Sequence, residues 1–126
     1  MNKYYNRKVK TNDGFIHDSK REASRWLELK LLEKAGHIKD LKRQVKFVLI
    51  PAQHEESIIG KRGGIKKGKL IERECSYIAD FVYIDTKTEK TIVEDAKGYK
   101  GGGAYAVFTI KRKLMNYLHK IQIREI

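Results

Sequence analysis

The stretch Tyr77-Ile78-Ala79-Asp80-Phe81-Val82-Tyr83, followed by Thr91-Ile92-Val93-Glu94-Asp95-Ala96-Lys97-Gly98, decides the fold. Both segments are rich in aromatic and β-branched residues, which is typical of strands. The short polar connection over residues 85–90 predicts that they pair as an antiparallel hairpin. Each strand nevertheless contains carboxylates, and a buried charge is costly unless it is paired or binds a metal.

Strand alternation determines which of these charged side chains can meet. Asp95 and Lys97 share one face of their strand and Glu94 takes the other, so Asp80 on the neighbouring strand can meet Asp95 and Lys97. Two carboxylates and the main-chain carbonyl of Ala96 suit Mg²⁺ or Mn²⁺. Such an ion would activate water and neutralise a phosphate, while Lys97 would orient the water or stabilise negative charge. The alternative is a surface salt-bridge cluster at a hairpin.

The composition favours a protein that binds nucleic acid. The 126 residues fit one domain, and the net charge of +12 favours a polyanion, most commonly nucleic acid. No apolar run is long enough to span a bilayer and no signal-peptide pattern is present, so no membrane partner is expected. Cys75 is the single cysteine, which excludes an internal disulfide and a cysteine-based zinc site and fits a cytoplasmic location.

The remaining periodicity predicts one α/β domain over residues 1–126. The predicted elements are a helix from residue 18 or 19 to Gly36, strands over 41–50, 70–85 and 91–97, a helix over 105–119 and a short final strand. Residues 1–17 are expected to form a basic arm or a short strand pair. Residues 51–69 are expected to form a mobile, basic, glycine-rich loop, or two strand ends with a flexible tip.

Asp80 followed by Asp95-Ala96-Lys97, in the order helix, three strands, helix, strand, resembles the PD-(D/E)XK nuclease superfamily. Segments 18–25, 43–45, 77–81 and 93–98 are also similar to a small phage-encoded uncharacterised family with a suspected relation to Holliday-junction resolvases. Ala79 stands where the superfamily often has proline. The resemblance implies a restriction-endonuclease-like αβββαβ core, with a mixed central sheet flanked by helices.

The resemblance also implies an activity and further site residues. It implies a metal-dependent phosphodiesterase that cuts DNA, with Asp80, Asp95 and the Ala96 carbonyl on the metal. Many members place an acid on the first helix, which here is Glu22; its simpler role is to favour the helix dipole. The second helix flanks the metal site, so Lys111 is expected on the scissile phosphate, with Lys113 as a further DNA contact.

Other polar residues are weaker candidates. Gln44 is either on an exposed strand face or directed into the site, where it would touch a phosphate or a metal-bound water. The glycine-rich loop lacks a Walker pattern, so we expect a non-specific grip on the DNA backbone or a solvated loop without a role. Its basic candidates are Lys61, Arg62, Lys66 and Lys67. The four histidines share no ligand spacing, and most are expected at the surface.

The sequence therefore predicts a Mg²⁺-dependent endonuclease for branched or junction DNA in phage recombination or replication. Because a resolvase cuts two strands, a symmetric homodimer is expected. Two alternatives stay open: a non-catalytic basic DNA-binding protein, and a nuclease of the same fold for single-stranded or flap nucleic acid.

Overall fold

A four-stranded sheet forms the centre of the computed structural model, which describes residues 7–97 and 100–126. In chain order the elements are β1 (Val9–Lys10), β2 (Ile16–His17), α1 (Lys20–Lys34), β3 (Ile38–Ile50), β4 (Gln53–His54), β5 (Ile58–Ile59), β6 (Ile65–Lys66), β7 (Leu70–Glu72), β8 (Cys75–Asp85), β9 (Thr91–Asp95), α2 (Gly102–His119) and β10 (Arg124–Glu125). The sheet has the order β10-β9-β8-β3. The β3–β8 and β8–β9 pairs are antiparallel and β9–β10 is parallel, so the chain is a single α/β domain with a mixed sheet and two helices, as predicted.

Helix α1 begins and ends at the signals that the sequence contains. The Ser19 hydroxyl accepts a hydrogen bond from the backbone N–H of Glu22 at 3.2 Å, which satisfies one free donor of the first turn. Gly36 follows the helix with a φ of +84°, a conformation that favours glycine. Trp26 is buried and its ring stacks on Phe81 of β8, with centroids 6.1 Å apart. The helix is thereby fixed against the sheet.

Helix α2 packs on a second part of the core. It begins at Gly102, earlier than the predicted start at Tyr105. Phe108 and Met115 are buried against apolar side chains of the sheet. The cluster comprises Leu49, Tyr77, Ala79, Val93, Phe108, Met115 and Ile123. Within residues 7–97 and 100–126, neither helix is long and apolar enough to cross a membrane.

The strand boundaries differ from those predicted. β3 begins at Ile38 instead of residue 41, with a register shift between Lys39 and Lys42. The strand predicted over 70–85 is wrong as a single element, because β7 pairs with β4 in a separate two-stranded sheet and β8 starts only at Cys75. β9 ends at Asp95, short of the predicted residue 97. In the predicted glycine-rich connection, Gly98 and Tyr99 lie outside the described residues.

Residues 51–74, here called the arm, connect β3 to β8. The arm contains two short antiparallel pairs, β4–β7 and β5–β6. Gly68 lies so close to the facing backbone segment of the arm that an added Cβ would be 2.1 Å from the Glu55 carbonyl oxygen. The arm therefore consists of paired strands, as the prediction of two strand ends with a flexible tip required, and is not an unpaired loop. Glycine is needed at position 68, where the two strands of the arm come close together.

Residues 9–17 form a hairpin on α1. Of the two predictions for residues 1–17, a basic extension or a short strand pair, the described part is therefore the strand pair. Residues 1–6 lie outside the described range. Trp26 Nε1 donates to Asp13 at 2.6 Å, and the Phe15 ring meets the Trp26 ring edge-on at 5.3 Å. His17 is fully buried and is therefore an exception to the expectation that most of the histidines lie at the surface. His37 and His119 are exposed.

Candidate active site

A cleft of about 540 Å³ contains most of the side chains selected from the sequence. The selected residues that line it are Glu22, Gln44, Asp80, Asp95, Ala96, Lys97 and Lys111. They come from α1, β3, β8, the end of β9 and α2, so the fold brings together segments that are far apart in the chain. Lys113 is exposed and does not line this cleft. The four basic residues of the arm are also elsewhere.

Asp80 and Asp95 lie just beyond the last paired residues of β8 and β9. The paired register ends with Phe81 opposite Glu94, so the two aspartates are the next residues where the strands separate. The backbone N–H of Ala96 donates to Asp80 Oδ2 at 2.8 Å. This bond holds the Asp80 carboxylate against the segment that carries Asp95.

Asp95 is bound by two further groups. Lys97 Nζ lies 2.9 Å from Asp95 Oδ1, and Tyr77 donates its hydroxyl proton to Asp95 Oδ2 at 2.5 Å. Burial and the bond to Asp95 raise the pKa of Tyr77, so its hydroxyl remains a donor at neutral pH. Lys97 Nζ also lies 3.8 Å from the centroid of the Phe108 ring, which favours a cation. The Lys97 ammonium is thus fixed beside the carboxylate pair.

The surroundings of Asp80 disfavour the ionised form of its carboxyl group. Burial, together with the neighbouring charge of Asp95, raises the pKa of Asp80 to about 7. The bond from Ala96 N–H and the amide of Gln44 partly oppose this effect. A divalent cation between the carboxylates would favour the ionised form of Asp80 and remove the repulsion.

Gln44 links the helix to the strand through two carboxylates. Its Nε2 lies 3.1 Å from Glu22 Oε1 and 3.4 Å from Asp80 Oδ1, so the amide donates toward both. Gln44 has a φ of +53°, which is uncommon for a residue with a Cβ and costs of order 1 kcal/mol. Glu22 is 3% exposed and its Oε2 accepts from the Asp18 backbone N–H at 3.3 Å. Glu22 therefore both supports the helix start and faces the cleft.

Glu94 lies on the other face of the strand, away from Lys97. Arg25 of α1 donates from Nε and Nη2 to its two carboxylate oxygens, each at 2.7 Å. Tyr83 also donates to Glu94 Oε2. The bond to Glu94 raises the pKa of Arg25, and burial raises the pKa of Tyr83 to about 12. Glu94 is fully buried but completely bonded, which ties β9 to α1.

Arg25 and Tyr77 were not among the predicted site residues, although both contact the carboxylates of β9. A signal for Arg25 was available, since Glu94 in an apolar strand requires a cationic partner and Arg25 follows Glu22 by one helical turn. Tyr77 gave no comparable signal, because a tyrosine in an apolar strand usually belongs to the core. Its role depends on the local geometry where β8 and β9 separate.

The donor set fits a hard divalent cation by its chemistry. Glu22, Asp80 and Asp95 offer carboxylate oxygens to the cleft, and Ala96 lines it beside them. Among residues 7–97 and 100–126, however, no three His, Cys, Asp or Glu side chains are already grouped closely enough to hold an ion. Instead, Lys97 and Gln44 contact the carboxylates. Metal binding would require these contacts to rearrange.

Comparison with known proteins gives a family but no function. The chain belongs to DUF1064, a protein family of unknown function whose family model matches residues 1–125. No curated protein and no solved structure matches the chain.

Proposed function

We propose that this member of DUF1064 is a Mg²⁺-dependent DNA endonuclease that hydrolyses phosphodiester bonds in branched or junction DNA. The observation that carries the proposal is the meeting of Asp80, Asp95 and Lys97 with Glu22 in one cleft. Asp95 is buried and Asp80 is half-buried, and a carboxylate with a raised pKa in a cleft, beside a fixed ammonium group, is a feature of functional sites.

The order of elements supports a restriction-endonuclease-like core. The central elements follow one another as α1, β3, β8, β9, α2 and β10, with the acidic residues on β8 and β9. The final strand β10 lies parallel to β9, which makes the sheet mixed. Membership of the PD-(D/E)XK superfamily is our inference from this order and from the residues of the cleft.

Asp80, Asp95 and the Ala96 carbonyl would hold Mg²⁺, with Glu22 at a second ion or on the water. The ion, when bound, supplies charge neutralisation at the phosphate and a lower pKa for water. Asp95 and the Phe108 ring keep the Lys97 ammonium in the cleft, where it orients the water or stabilises the developing negative charge.

Two further side chains would position the substrate. Lys111 lines the cleft one helical turn after Phe108, and its ammonium is suited to the non-bridging oxygens of the scissile phosphate. Gln44 holds the carboxylates of Glu22 and Asp80 in a fixed relation through its contacts to both. Lys113 lies outside the cleft and would contact flanking DNA.

The charge of the chain supports a nucleic-acid substrate. Its formal net charge is +12, and several of the basic residues lie on the arm. Affinity for a polyanion would come from these contacts and would be independent of the chemistry in the cleft. Cutting both strands of a junction needs two clefts, so we propose a symmetric homodimer acting in the cytoplasm of a phage-infected host.

A second candidate is a basic DNA-binding protein without catalysis. The pairing of Asp95 with Lys97, and the absence of a preformed cluster of acids among the described residues, favour this reading. A third candidate is a nuclease for single-stranded or flap nucleic acid, since the same cleft would serve it. All three share the DNA-binding surface but differ in metal dependence and in substrate shape.

One assay distinguishes these candidates. The purified protein is incubated with four-way junction, flap, linear duplex, single-stranded DNA and RNA, with Mg²⁺, with Mn²⁺ or with chelator. We expect cleavage of the junction that requires the metal and is abolished in Asp80→Asn and Asp95→Asn, while both variants still bind DNA. Asp40→Asn is the matched control, because this exposed aspartate has a φ of +54° that asparagine tolerates. Metal-independent binding with intact DNA would instead support the second candidate.

A further inference from the structure

The outer part of the arm is a short two-stranded ribbon. Ile58 pairs with Lys66 and Ile59 pairs with Ile65, and residues 60–64 form the connecting turn. The turn is closed by the Gly60 N–H, which donates to the Gly64 carbonyl at 2.7 Å. The ribbon thus ends in a defined turn that directly follows the Ile59–Ile65 pair.

Two large apolar side chains at the end of this ribbon are exposed to solvent. Ile59 is 79% exposed and Ile65 is 84% exposed. Because residues directly opposite each other in an antiparallel pair share a face, the two side chains are neighbours. Because the two side chains adjoin each other on a segment with no core of its own, they form a candidate contact surface.

The charge around the isoleucine pair indicates what it contacts. Residues 57–71 contain no acidic residue, and their basic residues are Lys61, Arg62, Lys66, Lys67 and Lys69. This surface complements a polyanion. It does not complement a second copy of the same tip, which would bring like charges together.

The base of the arm is closely packed and leads toward the cleft. The Glu55 N–H donates to the Lys69 carbonyl at 2.8 Å, and Gly68 leaves no room for a side chain at this position. The arm then enters β8 at Cys75, which pairs with Ile50 of β3. Residues 76–78 line the cleft, so the arm starts at the cleft end of these strands.

We propose that the arm enters a DNA groove and inserts the Ile59–Ile65 pair between base steps. A two-stranded ribbon can enter the minor groove, and apolar wedges inserted from that groove unstack a base step and kink the duplex. Since unstacking costs free energy, a branch point, where a base step opens at a lower cost, binds better than a regular duplex. The inference rests on the proposed function for its substrate and adds the element that would select branched DNA.

The test compares binding of the wild-type chain with the double variant Ile59→Thr, Ile65→Thr. Threonine keeps the β-branched shape, and both positions are exposed, so the fold is not expected to change. Fluorescence anisotropy is measured with chelator present, on a four-way junction and on a linear duplex of matched sequence. The double variant should lose at least about tenfold in affinity for the junction, which is less than the full burial of two isoleucines would contribute, because threonine keeps one methyl group of each side chain. Its affinity for the duplex and its salt dependence should stay close to wild type.

Ile71→Thr is the matched control, because Ile71 is also exposed and lies on the arm but away from the tip. It should bind both substrates as the wild type does. A second readout is 2-aminopurine placed at the branch point, whose fluorescence should rise when the wild type binds and stay low with the double variant. This readout reports unstacking directly.

The outcomes distinguish insertion of the isoleucine pair between base steps, here called the wedge, from the proposed nuclease activity of the cleft. A double variant that keeps the junction preference and the 2-aminopurine signal would overturn the wedge, whether or not the wild type cuts DNA. If sedimentation shows that the substitutions only convert a dimer to a monomer, the isoleucines belong to self-association and the wedge is also wrong. A wild type that binds and unstacks the junction but never cuts it refutes the nuclease and supports the wedge. A wild type that binds no DNA refutes both.

Discussion

Removing Arg25 should destabilise the domain strongly while leaving the cleft residues chemically intact. In the structure its guanidinium makes two bonds of 2.7 Å to Glu94, which is fully buried. Arg25→Met keeps much of the side-chain volume but leaves the carboxylate with only the Tyr83 hydroxyl as a partner. Breaking a buried ion pair on one side costs about 3–5 kcal/mol, a large part of the roughly 5–15 kcal/mol that stabilises a typical domain.

A double-mutant cycle identifies the origin of this loss. In Arg25→Met, Glu94→Met the buried charge is gone, so the remaining cost is the unpaired Tyr83 hydroxyl, about 1–3 kcal/mol. The double variant should therefore be more stable than Arg25→Met alone. Adding Tyr83→Phe should recover part of the remainder.

Urea denaturation followed by Trp26 fluorescence measures these differences, because Trp26 is the single tryptophan and is buried against Phe81. Arg21→Met is the control, since Arg21 lies exposed on the same helix. A loss of less than about 1 kcal/mol in Arg25→Met, the range of an exposed pair, would refute a buried ion pair between Arg25 and Glu94. So would a double variant that is less stable than Arg25→Met.

Three further predictions concern the cleft and the arm. Because the folded state raises the pKa of Asp80 from 3.8 to about 7, it binds this proton more tightly than the unfolded chain, and stability falls as pH rises through this window. Asp80→Asn should therefore raise the melting temperature above pH 7, with the gain vanishing near pH 4 in thermal scans; a gain largest in acid would contradict the shift. Asp95→Asn should abolish cleavage, whereas Glu94→Gln should impair stability more than the rate per folded molecule; a Mn²⁺-soaked crystal with Glu94 as a ligand would reverse this assignment. Replacing the four basic arm residues with alanine should weaken binding to every DNA shape and reduce the salt slope by up to about four units, with little change in the rate at saturating DNA; an unchanged slope would leave the arm without a phosphate role. The residues replaced are Lys61, Arg62, Lys66 and Lys67.

The central elements could be predicted because local and long-range signals agree there. β8 and β9 are apolar, separated by a short polar turn, and their alternation places Asp80 and Asp95 together and Glu94 apart. Helix α1 has both a serine cap and a terminal glycine. In such segments the pattern that forms the strand or helix also determines which side chains face the cleft.

Other features depend on contacts that no local pattern encodes. The break between β7 and β8 follows from pairing with β4, which is distant in the chain. The bridging position of Gln44 requires a positive φ in the middle of a strand, and alternation does not predict this. Nothing in the residues around His17 distinguishes it from the exposed histidines of the chain. It is buried because the hairpin that carries it folds onto α1.

The docking of residues 9–17 determines where the folding unit begins. A chain shortened to start at Asp18 would lose Asp13 and Phe15, two of the partners of the Trp26 ring, and would expose to water the part of α1 that the hairpin covers. It would also remove the Ile16 carbonyl that accepts from Arg43 Nη2 at 2.8 Å. The smallest autonomous version of this domain must therefore retain the hairpin, even though none of these residues lines the cleft.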